Sequence, residues 1–96
     1  MGAWVMGASV EAGRRHYEQA VALAPDDVGV HWQYARALAA LDLKGRSEEV
    51  RAALKRALAA AASDHVEHVM QARARQLSDA LSGNRDAAQR LAQTML

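Results

Sequence analysis

The sequence predicts an all-α fold of about five helices, paired as antiparallel hairpins and stacked as a short solenoid. Three observations carry this expectation. Roughly a quarter of the 96 residues are alanine, phenylalanine is absent and Pro25 is the single proline, a composition that suits helices and argues against a β-rich architecture. Apolar residues recur at helical spacing between short clusters of capping and breaking residues. The chain also resembles itself when displaced by 37 residues, the length of one helical hairpin.

The punctuation places helices near 9–24, 28–42, 47–62, 64–82 and 85–95 within a single domain spanning 1–96. Ser9 is the expected N-cap of the first helix, which carries Glu11, Arg14, Tyr17 and Val21 and stops at Pro25 and the Asp26-Asp27 pair. The second places Val30, Tyr34, Leu38 and Leu41 on one face, and a turn around Gly45 follows. Ser47 and the acidic first turn Glu48-Glu49 open the third, with Val50, Leu54, Ala57, Leu58 and Ala61 inward. The fourth begins at Ser63 or Asp64, shows Val66, Met70, Ala74, Leu77 and Leu81 as a stripe, and ends at Gly83, where a left-handed C-cap is expected. The fifth follows Asn84 and turns Leu91 and Met95 inward. Connections this short force consecutive helices to be antiparallel, which an up-down bundle satisfies as well as a row of hairpins.

Charge and composition exclude several functions. Ten Arg and two Lys are scattered among eleven acidic residues for a net charge of +1, with no basic block that tracks phosphates, so nucleic acid is not an expected partner. The apolar start Met1–Ala8 is much shorter than the ~20 residues of a membrane span and lacks the basic opening of a secretion signal, so no membrane partner is expected. With no cysteine there is no disulfide, thiolate metal site or thiol nucleophile. Either side of a bacterial membrane suits such a chain, with the cytoplasm as the expected location.

The displacement by 37 pairs Arg14 with Arg51, Ala20 with Ala57, Asp27 with Asp64, His31 with His68, Arg36 with Arg73 and Asp42 with Asp79. Five of the ten identities over residues 13–46 are alanine, but the other five exceed what composition supplies. Gly13, Tyr17, Ala20 and Pro25 then have the small, aromatic, small and proline spacing of a repeat's second helix, while His31, Tyr34, Ala35 and Leu38 stand at first-helix positions. In these residues the chain resembles the tetratricopeptide repeat family, most closely over 13–45 and weakly after 63, with a period about three longer than the usual 34. The later hairpin is degenerate, with Val50, Leu54, Ala57 and Ala62 at the four signature positions. Small residues such as Gly13, Ala20, Ala35 and Ala57 are expected to let helix axes approach closely while Tyr17, Tyr34, Leu38 and Leu54 fill the space between them.

The resemblance implies a peptide- or protein-binding adaptor whose concave side presents the first helix of each hairpin. The alternative is an assembly element that oligomerises or ends a longer array. On the second helix Trp32 and Arg36 lie four apart on a face separate from Val30, Tyr34, Leu38 and Leu41, and packing against the neighbouring hairpin competes with a binding role for Trp32. The identity register adds Arg73, whereas matching apolar faces needs a shift of 36 and brings in Arg75 instead. Spaced guanidiniums favour carboxylates, so Trp32, Arg36 and Arg73 are the expected contacts for an acidic or C-terminal carboxylate-bearing peptide.

Other signals have bland readings. His65 and His68 lack a third strong ligand, and Ser9, Ser47, Ser63 and Ser82 sit where caps are expected, so neither metal, cofactor nor catalysis is expected. Arg14 with Glu18 and Arg85 with Gln89 read as a solvated face. The repeat register makes the chain open inside the last turns of an earlier first helix, matching Trp4 to Leu41 and Glu11 to Glu48. Tyr17 and Val21 are then expected to lack a cover, which implies a homodimer, a swapped hairpin or the C-terminal piece of a longer array.

Overall fold

The structure, a computed structural model, describes the backbone of residues 2–95 and the side chains of residues 11–95. The fold is all-helical, with α1 (Gly2–Leu23), α2 (Val28–Ala59), α3 (His65–Gly83) and α4 (Arg85–Thr94), and no strand among the described residues. Two boundaries depart from the sequence expectation. The first helix begins at Gly2, so Ser9 lies inside it and does not cap it; the surroundings of Trp4 lie outside the described residues. The expected helices at 28–42 and 47–62 are the two arms of α2, broken at Asp42 and Arg46 and ending at Ala59; taken as one element they leave four among the described residues where five were expected.

That element is bent back on itself. A straight helix of 32 residues would be about 48 Å long, which exceeds the 40 Å longest extent of the molecule. Asp42 (φ −157°, ψ 66°) and Arg46 (φ −127°, ψ 22°) leave the helical region and make the bend. Beyond it, Glu49 accepts a hydrogen bond from the Tyr34 hydroxyl at 2.9 Å, although fifteen helical positions would separate the two by about 22 Å in a straight rod. Ser47, directly after Arg46, therefore stands at the start of the second arm. The Asp42 carboxylate stabilises the bend by accepting from the Gly45 N–H at 3.2 Å, and it also lies where a side chain at Gly45 would point, within 2.6 Å of an added Cβ.

Side-chain caps fix the other ends. Asp27 accepts from the Val30 N–H at the start of α2, and Asp64 accepts from the Glu67 N–H at the start of α3. Glu67 in turn accepts from the Ser63 N–H, closing a reciprocal cap. Asn84 alone links α3 to α4, accepting from the Asp86 and Ala87 N–H groups. No glycine among the described residues has positive φ; Gly83 ends α3 with Asn84 in an extended conformation, not as a left-handed cap.

The core is small-residue rich and centred on α2. Val28, Trp32, Ala35, Leu38, Ala39 and Leu43 from its first arm, and Val50, Ala53, Leu54 and Ala57 from its second, meet Ala74, Leu77 and Leu81 of α3 and Ala88 and Ala92 of α4. The buried face of the first arm is thus rotated from the expected stripe: Val30 and Tyr34 are only partly covered and Leu41 is exposed. Val66, expected inward on α3, is 59% exposed, Ala61 is exposed, and Leu91 and Met95 are partly buried against the core. Ala35 and Ala57 fulfil their close-packing role, whereas a Cβ at Gly13 would meet nothing within 4 Å, so no close approach explains that glycine.

Among the described residues α1 touches only α2, and it is joined there by aromatic and ionic contacts. The Tyr17 ring stacks on Tyr34 at 4.1 Å with 4° between planes and meets His31 edge-on at 5.6 Å. His31, 1% exposed, donates from Nε2 to the Pro25 carbonyl at 2.6 Å, which leaves Nδ1 to accept from the Tyr17 hydroxyl at 2.7 Å. Arg14, paired with Glu11 and not with Glu18, also donates to Glu49 at 2.7 Å, and Arg46 donates to the same oxygen at 3.2 Å. Burial pushes the Glu49 carboxyl up, but the Tyr34 hydrogen bond and the Arg14 and Arg46 guanidiniums outweigh it and hold the group below its ordinary value.

Because the folded carboxyl is the stronger acid, Glu49 stabilises the fold fully above the unfolded value of about 4.3 and loses that contribution as pH falls through its lower folded value. Thermal melts of the wild type and Glu49→Gln should converge as pH drops below about 4. At neutral pH the variant should be less stable by about 1–2 kcal/mol, read from urea midpoints.

Candidate functional site

Trp32, Arg36 and Arg73 line one cleft of about 240 Å³ between the first arm of α2 and α3. The caps at Asp27 and Asp64 start the two flanking helices, and the opening is lined by Trp32, Gln33 and Arg36 of the first arm and by His65, Val66, Val69, Met70 and Arg73 of α3. Arg73 lines this cleft and Arg75 does not. His65 and Val66 line one end and Met95 the other.

The three anticipated residues differ in character. Trp32 is 3% exposed and belongs to the core, so it floors the cleft and does not project from it. The competing reading of Trp32 as a packing residue is the one its burial matches. Arg36 is half-buried; its Nη1 donates to the Met95 carbonyl at 3.1 Å, Nη2 donates to Gln33, and the buried Nε has no hydrogen-bond partner among the described residues. Arg73 is exposed, and no side-chain hydrogen bond or ion pair holds it among the described residues. Among the described residues the lining has two guanidiniums and an imidazole but no carboxylate, with Val66, Val69, Met70 and Met95 as its apolar portion. Arg36 is held by its own hydrogen bonds while Arg73 has no such restraint among the described residues, and apolar side chains lie beside both.

Sequence reasoning missed the residues that shape the far end. Helix α4 runs antiparallel to the first arm of α2: Arg36 meets Met95, Ala40 meets Gln93, Leu43 meets Gln89 and Lys44 meets Asp86. Gln89 accepts from the Leu43 N–H at 3.3 Å and Gln93 donates to the Ala40 carbonyl at 3.2 Å, on either side of Asp42 where the helical angles fail. Gln71 does the same at the end of the second arm, donating to the Ala57 and Ala60 carbonyls at 3.1 and 2.6 Å, where terminal carbonyls have no intrahelical partner. The expectation that Arg85 and Gln89 form a solvated face is corrected at Gln89, which accepts from the Leu43 N–H, and no sequence signal distinguishes Gln89 and Gln93 from polar residues facing water.

A second, mainly apolar groove of about 310 Å³ lies between Gly13, Tyr17 and Ala20 of α1 and Val30, Gln33 and Ala37 of α2, with Gln33 at the border it shares with the cleft. Tyr17 and Val21, expected to lack a cover, are partly buried, while Leu23 is 88% exposed. No helix among the described residues is long and apolar enough to cross a membrane, and no three His, Asp or Glu side chains among them gather as a metal site would require.

No family model, curated protein or solved structure matches this chain.

Two substitutions separate floor from clamp. Trp32→Ala should cost about 3–5 kcal/mol of stability because it empties the space between α2 and α3. Gln93→Ala, measured the same way by denaturant unfolding, should cost about 1 kcal/mol and increase amide exchange chiefly around residues 40–44.

Proposed function

We propose that this protein is a protein-interaction module that holds an acidic peptide segment in the cleft between α2 and α3. The observation that carries the reading is the lining itself: Arg36, Arg73 and His65 with no carboxylate among them, beside partly exposed Val66, Val69 and Met70. A planar guanidinium donates two hydrogen bonds to one carboxylate, and the adjoining apolar atoms add buried contact. The self-similarity of the sequence at 37 residues supports the further reading of the two hairpins, 28–59 and 65–94, as degenerate tetratricopeptide-like repeats that present equivalent faces to one ligand.

A second reading, self-association, is favoured by the open apolar groove between α1 and α2 and by the exposure of Leu23. It has its own measurement. Sedimentation equilibrium should show a dimer that Ala20→Glu dissociates, while the same substitution leaves peptide binding at the other face intact.

For the acidic-segment reading the informative residue is Arg73, because it can be changed without disturbing the core. Arg73→Glu should weaken capture of an oligo-glutamate peptide about tenfold or more at low salt, by removing one charge partner and adding a repulsive one. Its melting temperature should stay within a degree or two of the wild type's. Affinity that is equal for the two proteins across low and moderate salt would move the site to another face.

A further inference from the structure

The cleft is the open end of a longer groove, and α4 lies in the rest of it. Its floor continues from Trp32 through Ala39 and Ala40 to Leu43 on α2, with Leu77 and Leu81 opposite on α3, all buried. Along this strip α4 is seated from Asp86 beside Lys44 to Met95 beside Arg36, so the wall that closes the cleft is the last turn of the chain's own helix. We propose that α4 is the resident occupant of the partner's seat, and that an acidic helix binds by taking its place. This rests on the reading of the cleft as a site for acidic segments.

Three features make the seat exchangeable. First, α4 is ten residues long and only Ala88 and Ala92 are buried in it, whereas a free helix of that length is marginal in water. Its ion pair, Lys44 with Asp86, is about two-thirds exposed on both sides. Second, a single extended residue, Asn84, connects α4 to α3, so rotation at one position swings the helix away. Third, α4 satisfies Arg36 incompletely. It offers a neutral main-chain carbonyl to one Nη, and the buried Nε has no acceptor. A carboxylate at the same place accepts from two guanidinium nitrogens with its charge compensated, a stronger arrangement than the one α4 makes. The partner that fits best therefore copies α4 and improves on it: a helix with small residues four apart, as Ala88 and Ala92 are, and a carboxylate at its C-terminal end.

The test uses a synthetic acidic peptide with the sequence of residues 85–95, Glu in place of Arg85 and Arg90 and Asp in place of Met95, and either a free or an amidated C-terminus. The protein carries Ala40→Cys and Gln93→Cys, and since the chain has no cysteine of its own a short bis-maleimide joins α4 to α2 at that point alone. The uncrosslinked form should bind the free-acid peptide at least about tenfold more tightly than the crosslinked form, and more tightly than it binds the amide. Equal binding by the crosslinked and open forms would overturn displacement while leaving the cleft as the site. Binding by neither form would remove the acidic-segment reading itself, and displacement with it. In the unsubstituted protein, amides of residues 88–95 should exchange at least about tenfold faster than those of Val50–Ala57. Equal protection of the two stretches would mean that α4 opens only with the whole fold, which also overturns the proposal.

Discussion

Reversing direction inside α2 leaves backbone donors and acceptors at a place where the regular ladder cannot hold them, and the rest of the molecule is arranged around meeting that need. Asp42 and Arg46 depart from helical angles, Asp42 turns its carboxylate onto the Gly45 N–H, and α4 brings Gln89 and Gln93 to Leu43 and Ala40. An unpaired backbone group out of water costs about 1–3 kcal/mol, comparable to the net stability contributed by several buried alanines. The antiparallel seating of α4 and the small residues beneath it follow from this geometry. A bulkier side chain at Ala39, Ala88 or Ala92, each 0% exposed, would lift the glutamines off the bend.

The two sides of α2 are built by different means. Toward α3 and α4 the contacts are Ala, Val and Leu, with glutamine side chains serving the ends of helices. Toward α1 a stacked tyrosine pair, a fully hydrogen-bonded His31 and the Arg14–Glu49 ion pair hold the helix. Apolar packing is indifferent to pH and salt, while the α1 attachment depends on both. That side is also where an apolar groove stays open, because aromatic rings packed edge-on and face-on leave spaces that alanines do not.

The helical class, the caps at Asp27, Asp64 and Asn84, and the sharing of one cleft by Arg36 and Arg73 were legible in the sequence because each depends on local chemistry or on a countable spacing. The buried face of the first arm was not. Val30, Tyr34, Leu38 and Leu41 form a helical stripe, but so do Val28, Trp32, Ala35, Ala39 and Leu43, and an alanine-rich helix gives little hydrophobic contrast between them. Packing of α3 and α4 chose the second stripe and drew Trp32 from the expected surface into the floor. The bend was legible as a turn, since Asp42, Gly45 and Ser47 mark it, and the helical angles fail there at Asp42 and Arg46. Gln89 and Gln93 escaped because polar side chains at helical spacing usually face water, and only the fold shows which backbone atoms they serve.

The bend and its repair lie far apart in the chain, and that separation orders events in time. Tyr34 and Glu49 meet across fifteen residues and Gln71 and Ala57 across fourteen, but Arg36 and Met95 are separated by 59. Short loops close first, so the hairpin within α2 forms early with its bend exposed and α3 joins next. During synthesis, at about 5–20 residues per second, several seconds pass between the emergence of Leu43 and that of Gln89. Through that interval the nascent chain displays the whole groove, bare from Trp32 to Leu43, to whatever shares the ribosome's surroundings.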